Sequence, residues 1–353
     1  MKIFIDCRML GSGGIGTYLS SLLPFFINQN ENKITLLLHS SYGETYKSFP
    51  NIKIITCDIS PFSLKELFCF PKHIINAINE CDVFYTPYCN IPHGIKCNIL
   101  PTIHDVVFLD VKNLTSKIGT LARKWFYQRA INKSTAIFTV SCFSKERIIY
   151  HLKTKNKPII VTYNAVPHWF SDSLEKKSKI NKTDTILFVG NIKKHKGLHT
   201  LLSSYKKLLE QGFNGKLTIV GNAENFRTSD DTISKQLDSL PKDSVIYTGR
   251  ISDSELKTKY AEAKLLIQPS LYEGFGMPPL EALTLGTNVV MSDIPVFKEI
   301  YGSLPVTFFE TENEDDLALK IKDAYEKNAP SFTNPYSFDQ VFDIINNTLK
   351  TVL

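Results

Sequence analysis

The fold is decided by one stretch of the chain, LLIQPSLYEGFGMPPLEA, which runs from Leu265 to Ala282. Its apolar start, Leu265–Gln268, is typical of a short buried strand, and the two prolines near its end suit the first turn of a helix. Between strand and helix, Gly274 and Gly276 let the backbone approach a ligand closely. A strand that leads through such a loop into a helix is the repeating unit of a parallel α/β sheet.

Two carboxylates in this stretch predict the kind of ligand. Glu273 precedes the helix, and Glu281 lies on it about two turns later. Together they can accept hydrogen bonds from hydroxyl groups at both ends of a ligand whose phosphates bind the amides of the helix N-terminus. A helix cap and an unrelated surface glutamate are the plainer alternative, which leaves the two glycines unexplained.

The rest of the chain repeats the alternation of short apolar runs with amphipathic stretches. In the first half, strands are predicted at Lys2–Asp6, Ile34–His39, Ile52–Thr56, Val83–Tyr85, Ile99–Thr102, Ala136–Val140 and Ile159–Val161, and helices at Thr17–Asn28 and Ser144–His151. The pattern then restarts with predicted strands at Thr185–Gly190, Lys216–Val220 and Val245–Tyr247, helices at Leu198–Glu210 and Ser252–Ala261, and a last helix at Phe338–Val352.

This order predicts an α/β protein with two Rossmann-like domains, each built on a parallel sheet. We expect the first domain to span residues 1–165 and the second residues 166–335, with a polar linker around 165–182. The C-terminal helix, within 336–353, is expected to pack back on the first domain.

A glycine-rich loop follows the first strand, with the sequence GSGGIG from Gly11 to Gly16. It matches the GxGxxG fingerprint of dinucleotide-binding proteins, whose glycines bring the backbone close to a pyrophosphate. That fingerprint also requires an acidic residue at the end of the second strand, about 20 residues on. The second strand ends Leu38-His39-Ser40-Ser41 with no carboxylate, so a dehydrogenase is disfavoured. The loop then contacts another ligand or forms a tight turn.

Two further loops follow predicted strands, where open α/β sheets bind their ligands. In the first domain, His104-Asp105 could bind a sugar hydroxyl or orient a reacting group, although a structural loop histidine is the more common explanation. In the second domain, the loop VGNIKKHKG places Lys193, Lys194 and Lys196 at a strand-to-helix turn. Such a turn suits an anionic group, and a solvated charge cluster is an equally good explanation.

The net charge of +6 is unevenly distributed. Residues 1–165 contain 19 Lys and Arg against 10 Asp and Glu, a net charge of +9, and residues 166–353 therefore carry −3. The excess indicates an anionic partner for the first domain. Two segments there, Phe62–Phe70 and Arg123–Arg129, combine basic with aromatic residues and predict peripheral contact with an anionic membrane. An ordinary lysine-rich surface is the alternative, and nucleic acid is not needed to explain the charge.

No metal site is predicted. Cys89 and Cys97 flank His93, but this spacing fits no zinc pattern. The chain contains no DxD motif, and its seven cysteines include no CxxC pair. The cysteines are expected to be reduced thiols.

Taken together, these residues resemble those of the family 4 retaining glycosyltransferases, whose GT-B fold has two Rossmann-like domains that face each other across a cleft. The resemblance covers nearly the whole chain and includes the GGIG loop (Gly13–Gly16), the pair His104-Asp105, the turn Thr139–Ser144, the segment Tyr163–Ala165 and the Glu-x7-Glu signature of Glu273 and Glu281.

The resemblance implies roles for the matching residues of the second domain. Lys196 would bind the donor diphosphate, Glu281 the ribose hydroxyls, and Glu273 the hydroxyls of the donor sugar. The sugar and the phosphates would also contact the backbone amides of Gly274, Phe275 and Gly276.

In the first domain, the resemblance implies that Gly14, between Gly13 and Gly16, lets its loop reach the diphosphate or the acceptor. His104, followed by Asp105, would lie near the reacting sugar. The expected catalytic residues are therefore Lys196, Glu273 and His104.

One position departs from the family pattern. Many members carry an arginine directly after the glycine that corresponds to Gly190, and this chain has Asn191. One of the two usual cationic contacts to the diphosphate is therefore missing, or it is supplied elsewhere, with Lys193, Lys194 and Arg250 as the candidates. The local pattern GNxKxHKG resembles the bacterial mannosyltransferase-type branch of the family.

The resemblance implies a retaining enzyme that moves a hexose from a nucleotide sugar, with GDP-mannose favoured, to a surface-polysaccharide or polyprenyl-diphosphate-linked glycan acceptor. The alternatives are a transferase that uses UDP-hexose or UDP-N-acetylhexosamine, a sugar-nucleotide epimerase of the same fold, and a binding module without catalysis. We expect no cofactor and no metal, because a lysine and helix amides can neutralise the diphosphate. The expected location is the cytoplasm, at the inner face of the cytoplasmic membrane.

Overall fold

The computed structural model describes residues 1–29, 31–47, 49, 51–171, 181–221 and 231–352. The chain divides into two compact units: the first consists of Met1–Pro167 and Tyr336–Leu353, and the second of His168–Pro335. The predicted linker around 165–182 lies partly outside the described residues.

The first unit contains a parallel sheet with the strand order β3-β2-β1-β4-β5. Its strands are β1 (Lys2–Asp6), β2 (Lys33–Leu38), β3 (Ile52–Thr56), β4 (Val83–Thr86) and β5 (Asn98–Pro101). Two further strands, β6 (Ile137–Thr139) and β7 (Ile159–Val161), pair in parallel, and a bridge between Thr102 and Phe138 links them to the end of β5. The helices among these strands are α1 (Gly13–Ile27), α2 (Leu64–Phe68), α3 (Lys72–Asn79), α4 (Val107–Asp110), α5 (Lys117–Lys133) and α6 (Cys142–His151).

Helix α1 begins four residues before its predicted start at Thr17, so the prediction of a glycine-rich turn was wrong for most of that segment. Glycine has a low helix propensity, which is why the pattern placed it outside the helix. Packing explains the difference, because a Cβ on Gly16 would lie 2.7 Å from the carbonyl oxygen of Met9. Glycine therefore lets the loop after β1 pack directly on the first turns of α1.

A buried charged network holds the carboxyl end of β1. Arg8 donates from Nε to Asp6 at 3.0 Å, and its Nη2 contacts Asp6 at 2.6 Å, Glu66 at 2.5 Å and the Tyr88 hydroxyl at 2.7 Å. Its Nη1 donates to the carbonyl of Ile59 at 3.0 Å. The three charged side chains are at most 1% exposed. Burial raises the pKa of Glu66, and the guanidinium beside it favours the ionised form.

The second unit contains a larger parallel sheet with the strand order β10-β9-β8-β11-β12-β13. Its strands are β8 (Thr183–Val189), β9 (Lys216–Val220), β10 (Val245–Gly249), β11 (Ala263–Gln268), β12 (Asn288–Ser292) and β13 (Thr307–Phe309). Its helices are α7 (His168–Ser171), α8 (Leu198–Glu210), α9 (Asp231–Asp238), α10 (Asp253–Glu262), α11 (Met277–Thr284), α12 (Pro295–Tyr301) and α13 (Glu314–Tyr325).

Strands β8 and β11 both begin two residues before their predicted starts. The first of the added residues in each strand, Thr183 and Ala263, pair with each other across the two strands. They are polar or small, so the apolar pattern did not mark them as strand.

After the second unit the chain returns to the first in helix α14 (Phe338–Thr351). Ser337 and Gln340 form a capping box at its start. The ring of Phe342 stacks on Phe25 with 5.4 Å between the ring centroids and meets Phe26 edge-on at 5.0 Å. The apolar face of α14 is thus part of the core of the first unit.

Candidate functional site

The centre of the second sheet provides a crevice for a ligand. From β8 the chain proceeds to β9 and β10 on one side, and from β11 it proceeds to β12 and β13 on the other. The loops that leave β8 and β11 therefore diverge at the carboxyl ends of two neighbouring strands. In open α/β sheets this switch point is where ligands bind.

The two loops at this crevice are tied together through their backbones. The amide of Leu271 donates to the carbonyl of His195 at 2.8 Å. Gly197 has a φ of +68°, and a Cβ at this position would lie 1.8 Å from the carbonyl oxygen of Pro269. Only glycine allows both the left-handed conformation and the close approach.

We expect the substitution Gly197→Ala to lower the free energy of unfolding by more than about 2 kcal/mol, because it adds a steric clash to backbone strain. Gly212→Ala is the matched control, since Gly212 also has a positive φ, +84°, but open space where the Cβ would lie. Urea unfolding of both variants measures the difference. If both variants lost the same free energy of unfolding, the clash between the new Cβ and the Pro269 carbonyl would be relieved by a small shift and would contribute little.

An ion pair joins the two loops at the centre of the crevice. Lys196 Nζ contacts both carboxylate oxygens of Glu273, at 2.7 Å and 2.8 Å. The carboxylate also accepts hydrogen bonds from the Ser270 hydroxyl at 2.8 Å and from Gln268 Nε2 at 3.2 Å. The two ionic side chains are only 20% and 11% exposed. The structure thus brings together two of the predicted catalytic residues and fixes the carboxylate with polar groups on its own loop.

The sequence pattern did not mark Gln268 or Ser270 as functional residues. Both lie within five positions of Glu273 on the strand and loop that lead to it, so their proximity was the available signal. Their partners could not be inferred, because the loop's conformation decides which side chains face the carboxylate.

His195 is neutral within this arrangement. Its side chain is buried, and its Nδ1 has no hydrogen-bond partner among the described residues. Burial and the neighbouring Lys196 ammonium lower the pKa of His195 to about 4. The loop therefore carries positive charge through its lysines at neutral pH.

The second carboxylate of the signature lies on α11. Glu281 accepts a hydrogen bond from the Tyr260 hydroxyl of α10 at 2.6 Å. Burial raises the pKa of Glu281 to about 7, against the opposing effect of this hydrogen bond. Tyr260 was not predicted, since it lies on another helix 21 positions away.

The start of α11 is shaped by Gly276, which has a φ of +86°. A Cβ at this position would lie 2.4 Å from the ring of Phe297. The Tyr301 hydroxyl donates to the carbonyl of Gly276, so the loop of Gly274 and Phe275 is held against α12. The predicted ligand-contacting amides thus belong to a fixed turn at a helix N-terminus.

The candidates for the missing cationic contact occupy different places. Lys193 and Lys194 are exposed on the same loop as Lys196. Arg250 follows β10, which is the edge strand, and β9 lies between it and β8. The structure therefore brings the two lysines to the crevice loop, whereas Arg250 is two strands away.

At the beginning of the loop that leaves β8, Asn191 is exposed. Its carbonyl accepts a hydrogen bond from the amide of Lys193 at 2.9 Å. The amide of Gly190 donates to the carbonyl of Val220 at 2.9 Å. A Cβ on Gly221 would lie 2.0 Å from the carbonyl oxygen of Gly190. The end of β8 thus lies tightly against the end of β9.

In the first unit, His104 lies after the end of β5. Its Nε2 contacts the carbonyl of Pro87 at 3.0 Å, and its ring meets Tyr18 edge-on. Burial lowers the pKa of His104 to about 4. Because a carbonyl only accepts, Nε2 carries the proton and Nδ1 is an acceptor. Asp105 accepts from the amide of Val107 at 3.0 Å.

The predicted loop glycines of the first unit lie in the first turn of α1. Gly13 and Gly14 have open space where a Cβ would lie, whereas Gly16 does not. The first two therefore leave the backbone accessible, and the third serves packing. In the part of the chain that the structure describes, no group of three or more His, Cys, Asp or Glu side chains could bind a metal ion. No described helix combines the length and apolarity needed to cross a membrane.

Comparison with known proteins identifies the family. The model of the family described as "Glycosyl transferases group 1" matches residues 170–334, which include both loops of the crevice. The O-antigen chain mannosyltransferase RfbU of Salmonella typhimurium is 31% identical over 269 residues, which are 74% of this chain and 72% of the relative. The chain belongs to the group 1 glycosyltransferases.

Two further likenesses agree with this assignment. This glycosyltransferase is 26% identical to O-antigen chain mannosyltransferase B of Escherichia coli over 230 residues, 62% of this chain and 59% of the relative. The crystal structure of Anabaena HepE in complex with UDP-glucose superimposes with a TM-score of 0.72 at 16% identity, covering 99% of this chain and 100% of the other. The predicted α/β fold with two Rossmann-like domains of the GT-B class is confirmed. So are the enzyme class and the resemblance to the mannosyltransferase-type branch.

Proposed function

We propose that this glycosyltransferase is a retaining enzyme that transfers a hexose from a nucleotide sugar to a surface-polysaccharide or lipid-linked glycan acceptor. The proposed hexose is mannose, and the proposed donor is GDP-mannose. The names of the two O-antigen mannosyltransferase relatives support the sugar and the class of acceptor. The single observation that carries the donor site is the ion pair of Lys196 and Glu273 at the switch point of the second sheet.

The donor diphosphate binds at Lys196 in this proposal. An ammonium group has three N–H donors, and the bonds to Glu273 account for two of them. The third binds a diphosphate oxygen, while the amides at the start of α11 contribute the positive end of the helix dipole. Glu273, held by Ser270 and Gln268, accepts hydrogen bonds from the hydroxyls of the sugar.

The transfer step follows from these contacts. The bond between the sugar C1 and the β-phosphate oxygen breaks, and its electron pair stays on the diphosphate. The acceptor hydroxyl oxygen bonds to C1, and its proton passes to the departing phosphate oxygen. Lys196 and the helix amides stabilise the negative charge that develops on the diphosphate in the transition state.

We propose that the acceptor attacks the same face that the diphosphate leaves, so the anomeric configuration is retained. Glu273 is bound by an ammonium and two neutral donors, which suits a positioning carboxylate better than a nucleophile. Proton NMR of the product from GDP-mannose reports the configuration directly. An inverted product would contradict this part of the mechanism.

Transfer is expected to need no divalent metal, because Lys196 and the helix amides offset the diphosphate charge. Dialysis against EDTA should change the transfer rate by no more than about a factor of two. The loss of a Lewis-acid metal would instead remove several kcal/mol of transition-state stabilisation and slow transfer far more. A loss that Mg²⁺ or Mn²⁺ restores would overturn the expectation. GDP release from GDP-mannose is the assay.

Donor binding is expected to tighten as the pH rises through about 7, since an ionised Glu281 accepts hydrogen bonds from both ribose hydroxyls and accepts them more strongly than the protonated acid does. With its pKa raised to about 7 by burial, Glu281 is mainly protonated at about pH 6 and mainly ionised at about pH 8. The dissociation constant of GDP-mannose should fall by up to about tenfold over this interval.

The donor's own phosphates, which form a diester, do not titrate in this range, and His195 is already neutral because its pKa is lowered to about 4. Calorimetric titration of GDP-mannose at several pH values gives the pH dependence of the dissociation constant. The variant Glu281→Gln should bind with no such pH dependence. A pH dependence that persists in this variant would assign the titration to another group.

A donor panel tests the proposed substrate. Purified enzyme is incubated with GDP-mannose, UDP-glucose or UDP-N-acetylglucosamine and a lipid-linked glycan acceptor, and the released nucleotide and the glycosylated product are measured. Turnover with GDP-mannose is expected. Turnover with UDP donors alone would contradict the mannose assignment, and deuterium uptake from heavy water into the donor sugar would favour an epimerase.

We also propose that the first unit contacts an anionic membrane, which would bring it to a lipid-linked acceptor. The +9 charge of residues 1–165 supports this contact, at about 1 kcal/mol for each basic residue near the surface. Exposed apolar side chains on α2 and α5 support it as well.

A further inference from the structure

A cavity in the first unit lies between α2 and α5. Its volume is about 340 Å³, which is within the range of small-ligand sites, roughly 300–1,000 Å³. It is lined by Phe68, His93, Trp125, Gln128, Arg129, Asn132 and Lys133. Two aromatic rings and two cationic groups thus face one space, and no lining residue is acidic.

The charge of Arg129 is not neutralised within the described part of the chain. Its Nη1 is buried and has no hydrogen-bond partner among the described residues. Burial lowers the pKa of Arg129, with no carboxylate opposing this effect. Arg129 as a whole is only partly buried. A buried N–H donor without an acceptor is unfavourable, so an anion in the cavity that accepts from Nη1 would be stabilised.

The neighbouring polar groups do not supply that anion. Gln128 donates to the carbonyl of Lys153 at 2.9 Å and accepts from its amide at 2.8 Å, which fixes the side chain against another segment. The acidic residue of α2, Glu66, is turned inward to Arg8. Helix α5 contains five Lys and Arg and no Asp or Glu.

Two of the residues that line the cavity, Trp125 and Phe68, lie on exposed apolar helix faces, which we call its apolar rim. On α5, Ile118, Leu121 and Trp125 are 82%, 69% and 49% exposed at the spacing of one helix face. On α2, Leu64 and Phe68 are 67% and 65% exposed, one turn apart. Exposed apolar side chains on helices that also carry cationic groups are the pattern of a surface that enters the headgroup region of a bilayer.

We propose that this cavity binds the phosphate of an anionic membrane lipid, with Arg129 and Lys133 around the phosphate and Phe68 and Trp125 inserted beside the acyl chains. The inference rests on the proposed membrane contact and specifies its site. A cationic pocket with an apolar rim fits a phosphate that carries an acyl chain better than free phosphate, which would gain nothing from the rim.

Tryptophan fluorescence tests the site directly. The chain contains two tryptophans, Trp125 and Trp169, so Trp169→Phe leaves the cavity residue as the sole reporter. Vesicles that contain phosphatidylglycerol should shift its emission to the blue, and pure phosphatidylcholine vesicles should shift it less. An unchanged emission during vesicle binding would overturn the proposal, as would a shift produced by inorganic phosphate alone.

A matched pair of variants separates the site from general attraction. In the Trp169→Phe background, Arg129→Gln and Lys124→Gln remove the same charge from the same helix, and only Arg129 lines the cavity. At high salt, which screens exposed charges, Arg129→Gln should weaken binding to phosphatidylglycerol vesicles roughly tenfold and Lys124→Gln hardly at all. Equal effects would overturn the proposal in favour of diffuse electrostatics. Thermal unfolding confirms that both variants are folded.

The apolar rim has its own control. Phe68→Ser should weaken vesicle binding, whereas Leu319→Ser, at a 54% exposed position of α13, should not. Binding is measured without donor or acceptor. A protein that binds vesicles but transfers no sugar would therefore contradict the proposed function alone, and an active protein without vesicle binding would contradict the lipid site alone.

Discussion

Replacing Lys196 with alanine is expected to lower kcat/KM for hexose transfer by about 10²–10³-fold, the size of effect seen when one preorganised contact to developing charge is lost. The ammonium contacts Glu273 at 2.7 Å and 2.8 Å across the two loops of the crevice. Its loss removes the cation nearest to the proposed diphosphate and also releases the carboxylate that holds the sugar. Steady-state kinetics with GDP-mannose measures the change.

Control variants test whether the loss is specific to the Lys196–Glu273 ion pair. Lys206→Ala removes an equal charge from an exposed position on α8 of the same unit, and it should cost far less than Lys196→Ala. Glu273→Gln should also impair transfer, and the double variant should be little worse than Lys196→Ala, because the two side chains act as one unit. Near-normal rates in Lys196→Ala, or equal losses in the two lysine variants, would contradict the assigned site.

Replacing Arg8 with methionine is expected to lower the free energy of unfolding by about 3–5 kcal/mol, because it leaves two buried carboxylates without their cation. Asp6 and Glu66 are both fully buried against Arg8, and methionine roughly preserves the length of the side chain. Chemical unfolding followed by circular dichroism measures the loss.

The control for this variant is Lys47→Met, which breaks the exposed ion pair of Lys47 with Glu44 in the same unit. Exposed pairs contribute little, so its stability should be almost unchanged. The triple variant Asp6→Asn, Glu66→Gln, Arg8→Met should recover part of the loss, since no unpaired charge remains. A single Arg8→Met variant as stable as the wild type would show that the network contributes no net stability.

The sequence predicted the elements in which local pattern and turn chemistry agree. Strand β1 and helix α8 have the predicted bounds, and the loop from Pro269 to Gly276 lies between a strand and a helix as its glycines and prolines indicate. Lys196 and Glu273 were named from their motifs, and the structure shows that they meet. Local patterns are sufficient here because each element is specified by residues close to it in the chain.

Long-range contacts could not be predicted in the same way. Arg8 binds Glu66 and Tyr88, which lie 58 and 80 positions away, and Tyr260 reaches Glu281 from a neighbouring helix. The early start of α1 depends on a contact between Gly16 and the backbone of the preceding loop. Each of these features is set by tertiary packing, which overrides local propensity.

A crystal structure of the wild-type enzyme with GDP is the most direct test of the proposed donor site. It should show a β-phosphate oxygen within hydrogen-bond distance of Lys196 Nζ, amides of the Gly274–Gly276 turn at the diphosphate, and the ribose hydroxyls at Glu281. GDP bound away from the loops after β8 and β11, with no contact to Lys196, would contradict it.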